Sequence, residues 1–287
     1  MTKPCRSTNF CETQIRLDAD RQDRLKQSNP YYLFQPALKG RLSRLSQTKI
    51  WVSDPAGFND PLDLKLVLED RTYQSPFAEE QLREALRVLI EDNQKVGLHW
   101  FFNGQLLGYV RHWINGTVNS FDLVHEINER FKEFGVACFT TDWQHGLMWS
   151  HYADRHTGYC IEYCVRAMDL VKNNQGLFAA FHVQYSSILP KLCISEALFS
   201  PHQTLGRMLA TKSAEWAYEQ EWRLVHLEKK AKHVDMPNGM MVSALIAGQK
   251  AKPELVQKLI KKATTLKVPV YQARRDDSGY PLRMVLL

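Results

Sequence analysis

Three short stretches of this 287-residue chain mix residue types that an ordinary core does not need. The first, "LMWSHYADRHTGYCIEY" at 147–163, sets Ser150, His151, Asp154, Arg155, His156 and Gly158 around Trp149 and Tyr152. On a helix starting at 147, Met148, His151 and Tyr152 cluster by their spacing. Trp149, Tyr152 and His156 share a face only if that helix runs on to 156. A buried polar group without a partner costs about 1–3 kcal/mol, so such groups persist where partners or a ligand satisfy them. The stretch is therefore either an aromatic core helix with satisfied histidines or one wall of a pocket.

The second stretch is "FNDPLD" at 58–63. Asn59 and Asp60 before Pro61 form an Asx-type turn, and the proline pushes Asp60 away from helical angles. Either the loop is simply shaped by this turn, or Asn59 and Asp60 point into a pocket as hydrogen-bonding groups. The third is "KSAEWAYEQEWRLV" at 212–225. A strand over 218–226 puts Glu219, Glu221 and Arg223 on one face and Trp222, Leu224 and His226 on the other. Two carboxylates spaced that way sit ~7 Å apart and repel. They call for a raised pKa in one member or a cationic partner, and Arg223 and Lys212 are at hand. A solvated ion-pair face is one reading. A carboxylate site that holds a ribose hydroxyl and stabilises a developing cation is the other.

Composition limits the classes of function. With 44% hydrophobic and 24% charged residues the chain reads as a globular protein. No apolar run approaches the ~18 residues of a membrane span. The polar opening lacks the apolar segment of a secretory signal, so no membrane partner and a cytoplasmic location are expected. The six cysteines are scattered and read as free thiols. Cys160 and Cys164 form a C-x3-C pair with no second pair, so no metal site is expected there. They would share a strand face with Glu162. The net charge of +6 tolerates a polyanionic partner without requiring one. Much of that charge lies in "KLIKKATTLK" at 258–267, which reads as an amphipathic helix with a solvated lysine face. The phosphate-binding glycine loops, H-E-x-x-H and G-x-S-x-G are absent.

The elements that must position these residues follow from periodicity and punctuation. Residues 1–29 read as a poorly ordered or helical leader, and 30–287 as a single domain. "YYLFQPAL" is an aromatic strand broken by Pro36, and "GRLSRLSQTKIWVS" an amphipathic segment feeding a second strand. "DPAGFNDPLDL" is a turn-rich loop. Helices are expected over 77–95, 119–134 and 192–213. "VACFTT", "YCIEYCV" and "FHVQYSS" read as strands. "LMWSHYA" makes two helical turns stopped by "DRHTG", with Gly158 at a left-handed C-cap. The tail reads strand, helix, strand, strand: "MMVSALIAG", "KPELVQKLIKKATTL", "VPVYQARR", "YPLRMVLL". Without a regular βαβ rhythm the class is α+β, a mixed sheet with flanking helices.

Together the three stretches are similar to a widespread bacterial family of unknown function. Its members show an F-N-D-P loop, a W-S-H-Y-A…H-x-G-x-C-I block and a W-x-Y-E-x-E-x-R block. The resemblance runs from about residue 31 to 275, and it carries no activity of its own. At the first strand, where members commonly show a Leu-Tyr-Lys-Tyr-like sequence, this chain has "YYLFQPAL". A second resemblance is to mono-ADP-ribosyltransferases: an aromatic first strand, a strand ending in serine ("IWVS", Ser53) and a late E-x-E. It implies NAD as substrate, Glu221 supporting an oxocarbenium-like transition state, Glu219 on the acceptor side and Ser53 as the serine-motif residue. Trp149 or Tyr152 would stack on nicotinamide, and His151 and Tyr152 would position the nucleotide. The acceptor would be a protein or nucleic acid. Two other readings stay open. One is a metal-dependent nuclease or phosphoesterase with Asp60, Glu219 and Glu221 as ligands and His151 as base. The other is a module that binds a nucleotide or small molecule without turning it over.

Overall fold

The structure, a computed structural model, describes residues 7–38, 40–65, 67–68, 104–119, 134–172, 178–192, 201–228, 231–275, 281–287 and a few single positions between them. The helices expected over 77–95 and 119–134 fall largely outside these residues. The described helices are α1 (Ser7–Leu25), α2 (Arg41–Arg44), α3 (Gly104–Ile114), α4 (Gly146–Tyr152), α5 (Ala167–Lys172), α6 (Pro201–Leu209) and α7 (Pro253–Leu266). None of them is long and apolar enough to cross a membrane.

An open mixed sheet organises the chain. Its strands are β1 (Asn29–Gln35), β4 (Gly135–Thr140), β5 (Tyr159–Val165), β6 (Phe178–His182), β10 (Glu221–His226), β12 (Met240–Ala247), β13 (Val270–Arg275) and β14 (Leu282–Leu286). The order across the sheet is β14-β13-β12-β5-β1-β4-β10-β6. Only β12 and β13 run parallel, joined by α7 as the tail pattern requires; the other neighbours are antiparallel. Two-stranded ribbons stand beside it: β2 (Lys49–Val52) with β11 (Lys232–Asp235), β3 (Val67–Leu68) with β8 (Lys191–Leu192), and β7 (Gln184–Ser186) with β9 (Thr211–Ser213). The fold is α+β.

Helices cover both faces, which is why every residue of β5 is buried. Alternation along the strand sends Tyr159, Ile161, Tyr163 and Val165 to one face, where Leu259 and Ala263 of α7 and Ile50 and Val52 of β2 meet them. Cys160 faces the other layer with Met148, Trp149, Ala153 and Tyr271. Glu162 shares that side and is fully buried. Arg21 of α1 grips it from two nitrogens, Nε at 2.7 Å and Nη2 at 2.6 Å, and Ser243 Oγ donates to it at 2.7 Å. A bulge in β12 between Val242 and Ala244 presents Ser243 for this bond. Gln14 Oε1 also accepts from Val270 N at 2.9 Å. Within the amino-terminal segment expected to be poorly ordered or helical, Ser7–Leu25 is thus a helix bonded to the middle of the sheet.

Two local expectations change. Gly158 does not hold a left-handed C-cap; Asp154, Arg155 and His156 take positive φ in succession, at 47°, 55° and 69°. Their backbone is fixed by Arg155 N to Ser150 O (3.1 Å), His156 N to Trp149 O (3.1 Å) and Gly158 N to Ala153 O (2.8 Å). Gly158 is required for a different reason: a Cβ there would stand 2.2 Å from the Gln35 carbonyl oxygen of β1. In the 192–213 region, the described part is α6 followed by β9 rather than one helix.

A buried carboxylate–cation cluster

Glu219 and Glu221 do not lie on one strand. Residues Ala214–Glu219 form a 3-10 turn, Gln220 reverses the chain at φ 43°, and β10 begins at Glu221. The turn replaces the simple alternation of a strand, so a cation rather than strand geometry sets the relation between the carboxylates. Lys212, carried on β9, supplies it: Nζ donates to Glu219 Oε2 and, at 3.1 Å, to Glu221 Oε2. Arg223 then holds Glu221 from two sides, Nε to Oε1 at 2.7 Å and Nη2 to Oε2 at 3.0 Å. The same Nη2 donates to Asp63 Oδ2 at 2.7 Å, and Nη1 to the Leu209 carbonyl at 3.2 Å. None of these five charged side chains is more than 5% exposed. Three carboxylates face two cations, and Asp63 Oδ1 is buried with no hydrogen-bond partner among the described residues.

The neighbours close the cluster off from solvent. Tyr152 of α4 donates its hydroxyl to Glu219 Oε1, and Asn59 Nδ2 donates to that hydroxyl at 3.3 Å. Tyr185 accepts from the Glu221 amide at 2.8 Å. Lys212 Nζ lies 5.1 Å from the centre of the Trp216 ring, a cation–π distance. Residues from the three polar stretches therefore meet: Asn59 and Asp63 from the "FNDPLD" loop, Tyr152 from α4, and Glu219, Glu221 and Arg223 from the third stretch.

The electrostatics follow from burial and pairing. Burial alone would push the Glu221 carboxyl up, but the charge and hydrogen bonds of Arg223, with Lys212 behind, outweigh it and hold it at about 2. Burial pushes the Asp63 carboxyl up, with Arg223 opposing and Glu221 adding to the rise. Burial would lower Lys212, yet Glu221 and Glu219 raise it, so it stays charged. Burial, followed by the bond to Glu219, raises the Tyr152 phenol. At neutral pH the cluster thus presents a fixed anion at Glu221 and a neutral phenol donor at its edge.

The remaining candidate residues sit elsewhere. Ser53 bridges to Val136 through its backbone, N to O at 2.8 Å. Asp60 Oδ1 accepts from Leu62 N at 2.8 Å, the expected Asx turn. His151 is exposed beside Tyr152 and Tyr218, its ring centre 6.3 Å from each. Trp149 has no exposed surface; it donates Nε1 to the Trp143 carbonyl at 2.7 Å and meets Phe34 edge-on. His156 lies parallel to Trp149 at 6.2 Å, and burial, Lys250 and Arg275 lower its pKa. Asp63 is the residue that sequence reasoning missed, although it closes the "FNDPLD" stretch already singled out. Its signal was an acid in a polar block, and its partner, Arg223, lies 160 positions away.

No three His, Cys, Asp or Glu side chains among the described residues are grouped to hold a metal ion. Fold and cluster together define an open-sheet α+β protein built around a buried acid–base cluster. Comparison with protein families finds a match over residues 148–224 to a family described as a protein of unknown function (DUF2971). That span opens in α4 and ends in β10, so it takes in Tyr152, Lys212, Glu219, Glu221 and Arg223. Neither the curated proteins nor the solved structures give a match.

Proposed function

We propose that the cluster is the reaction centre of an enzyme acting on NAD, as a transferase or glycohydrolase. What carries the reading is the ionised Glu221, fixed two residues from a second carboxylate whose outer oxygen meets the half-buried Tyr152. With Asp63 ionised, the three carboxylates exceed the two cations by one charge, so positive charge developing beside them is stabilised. When the N-glycosidic bond of NAD breaks, its electron pair leaves with nicotinamide and the ribose becomes oxocarbenium-like. Glu221 supplies fixed negative charge to that centre through the cluster. Glu219 orients the ribose or the attacking hydroxyl or water, and Tyr152 closes the mouth and gives up its bond to Glu219 when substrate enters. His151, exposed on the same helix, contacts the nucleotide.

The metal-dependent reading draws less support. Glu219 and Glu221 would have to surrender Lys212 and Arg223 to act as ligands, and Asp60 is engaged in its own turn. The deciding assay is nicotinamide release from NAD, with and without crude nucleic acid and lysate protein as acceptors. Release is expected from the wild-type protein, and is expected to be lost in folded Glu219→Gln and Glu221→Gln proteins. No release under any acceptor, or full release from a folded Glu221→Gln protein, overturns the assignment.

A further inference from the structure

The opposite face of the sheet carries a second feature that the cluster does not use. Trp222 and Leu224 point into the α7 layer, whereas Glu221 and Arg223 alternate away from it. On that far side α2 separates two recesses that share Tyr159. The smaller, about 240 Å³, is lined by Arg41, Arg44, Lys49, Trp51 and His233. The larger, about 1040 Å³, is lined by Lys252, Lys258, Lys261 and Lys262 of the α7 region. Set against these cations are Asp154 and Glu254 in the larger recess. Asp235 pairs with Lys49 at 2.5 Å. Cations therefore outnumber acids in each recess.

Two properties narrow the occupant. Lys258, Lys261 and Lys262 stand at i, i+3 and i+4 on one helix, where like charges repel and destabilise until an anion answers them. Lys262 is also drawn partly inward, donating to the Ser43 carbonyl at 2.9 Å, which fixes the helix against α2. At the other end Trp51 is 43% exposed, its ring 5.0 Å from His233 in an edge arrangement. A large exposed indole among arginines and lysines is a stacking platform beside phosphate-binding groups. An acidic peptide would use the charges but not the indole, and a flat aromatic face suits an unpaired base.

We propose that these two recesses together bind single-stranded nucleic acid running across α2, its phosphates along the lysines of α7 and the arginines of α2, with a base stacked on Trp51. The inference is independent of the NAD reading, because its residues lie on the other face of the sheet. The test is fluorescence anisotropy of a labelled oligothymidine with the full chain over a salt series. Affinity should fall with salt, and Lys258→Gln/Lys261→Gln should make the log–log slope shallower by about 1.4, at ~0.7 per lost single-strand phosphate contact. Trp51→Ala should weaken binding about tenfold and Trp51→Phe much less, since stacking tolerates any aromatic ring. Circular dichroism melts on each variant confirm that these exposed positions leave the fold intact. No binding at low salt overturns the proposal. So does unchanged affinity in Trp51→Ala, or a duplex or heparin competing better than the single strand; those outcomes leave a general polyanion surface.

Discussion

Replacing Glu221 by glutamine keeps the size of the side chain and removes its charge, so the variant imitates the protonated carboxyl. The fold prefers the ionised form, holding the group at about 2 against an ordinary 4.5. At 1.36 kcal/mol per unit, that difference is about 3 kcal/mol of stability in favour of the charged side chain. The figure is a ceiling, since the charge on Glu221 is one cause of the rise at Asp63, and its loss relieves that repulsion within the cluster. The sign with pH is set by the lowered pKa. Glu221 contributes in full above its unfolded value and loses that contribution as pH falls through about 2. Urea unfolding of the wild type and Glu221→Gln should therefore show a gap of about 2–3 kcal/mol at pH 7, narrowing to about half by pH 3. Activity of the variant is meaningful only alongside this measurement. A gap below about 1 kcal/mol at pH 7, or one that does not narrow in acid, would refute the coupling of Glu221 to Arg223 and Lys212.

Arg21→Met removes both nitrogens that grip Glu162 and leaves a fully buried carboxylate with only the Ser243 and Tyr32 hydroxyls beside it among the described residues. The expected cost is about 3–5 kcal/mol in urea unfolding, with most of it regained in Arg21→Met/Glu162→Leu; an effect near zero would mean that α1 is not fastened by this pair. Gly158→Ala drives a Cβ against the Gln35 carbonyl and should cost about 2–3 kcal/mol in thermal unfolding by separating β1 from β5. Gly57→Ala, where an added Cβ meets nothing, is the control and should stay within about 0.5 kcal/mol.

Much of the architecture could be read from local rules. The tail declared itself because apolar residues repeat at the helical period from Leu255 to Leu266, between runs long enough only for strands, and Pro253 marks the helix start. The alternation of "YCIEYCV" put Cys160, Glu162 and Cys164 on one face, and the crowding of two glutamates called for a cation, with Lys212 and Arg223 as candidates. These are short-range consequences of period and charge, and the fold leaves them in place.

The tertiary structure decided what depends on distant partners. No periodicity tells β1 to lie between β5 and β4, and that insertion is what brings the Gln35 carbonyl against Gly158. Local pattern extended β10 back over Glu219, but the left-handed Gln220 breaks it, because Glu219 gains Lys212 and Tyr152 by leaving the ladder. Asp63 looked like one more loop acid until Arg223 came within 2.7 Å, and Arg21 looked like one charge in a polar leader until the sheet offered it Glu162. The physical reason is the same in each case. A buried charge is tolerable only with an opposite charge beside it, and the sequence records the charge while the fold alone supplies the neighbour.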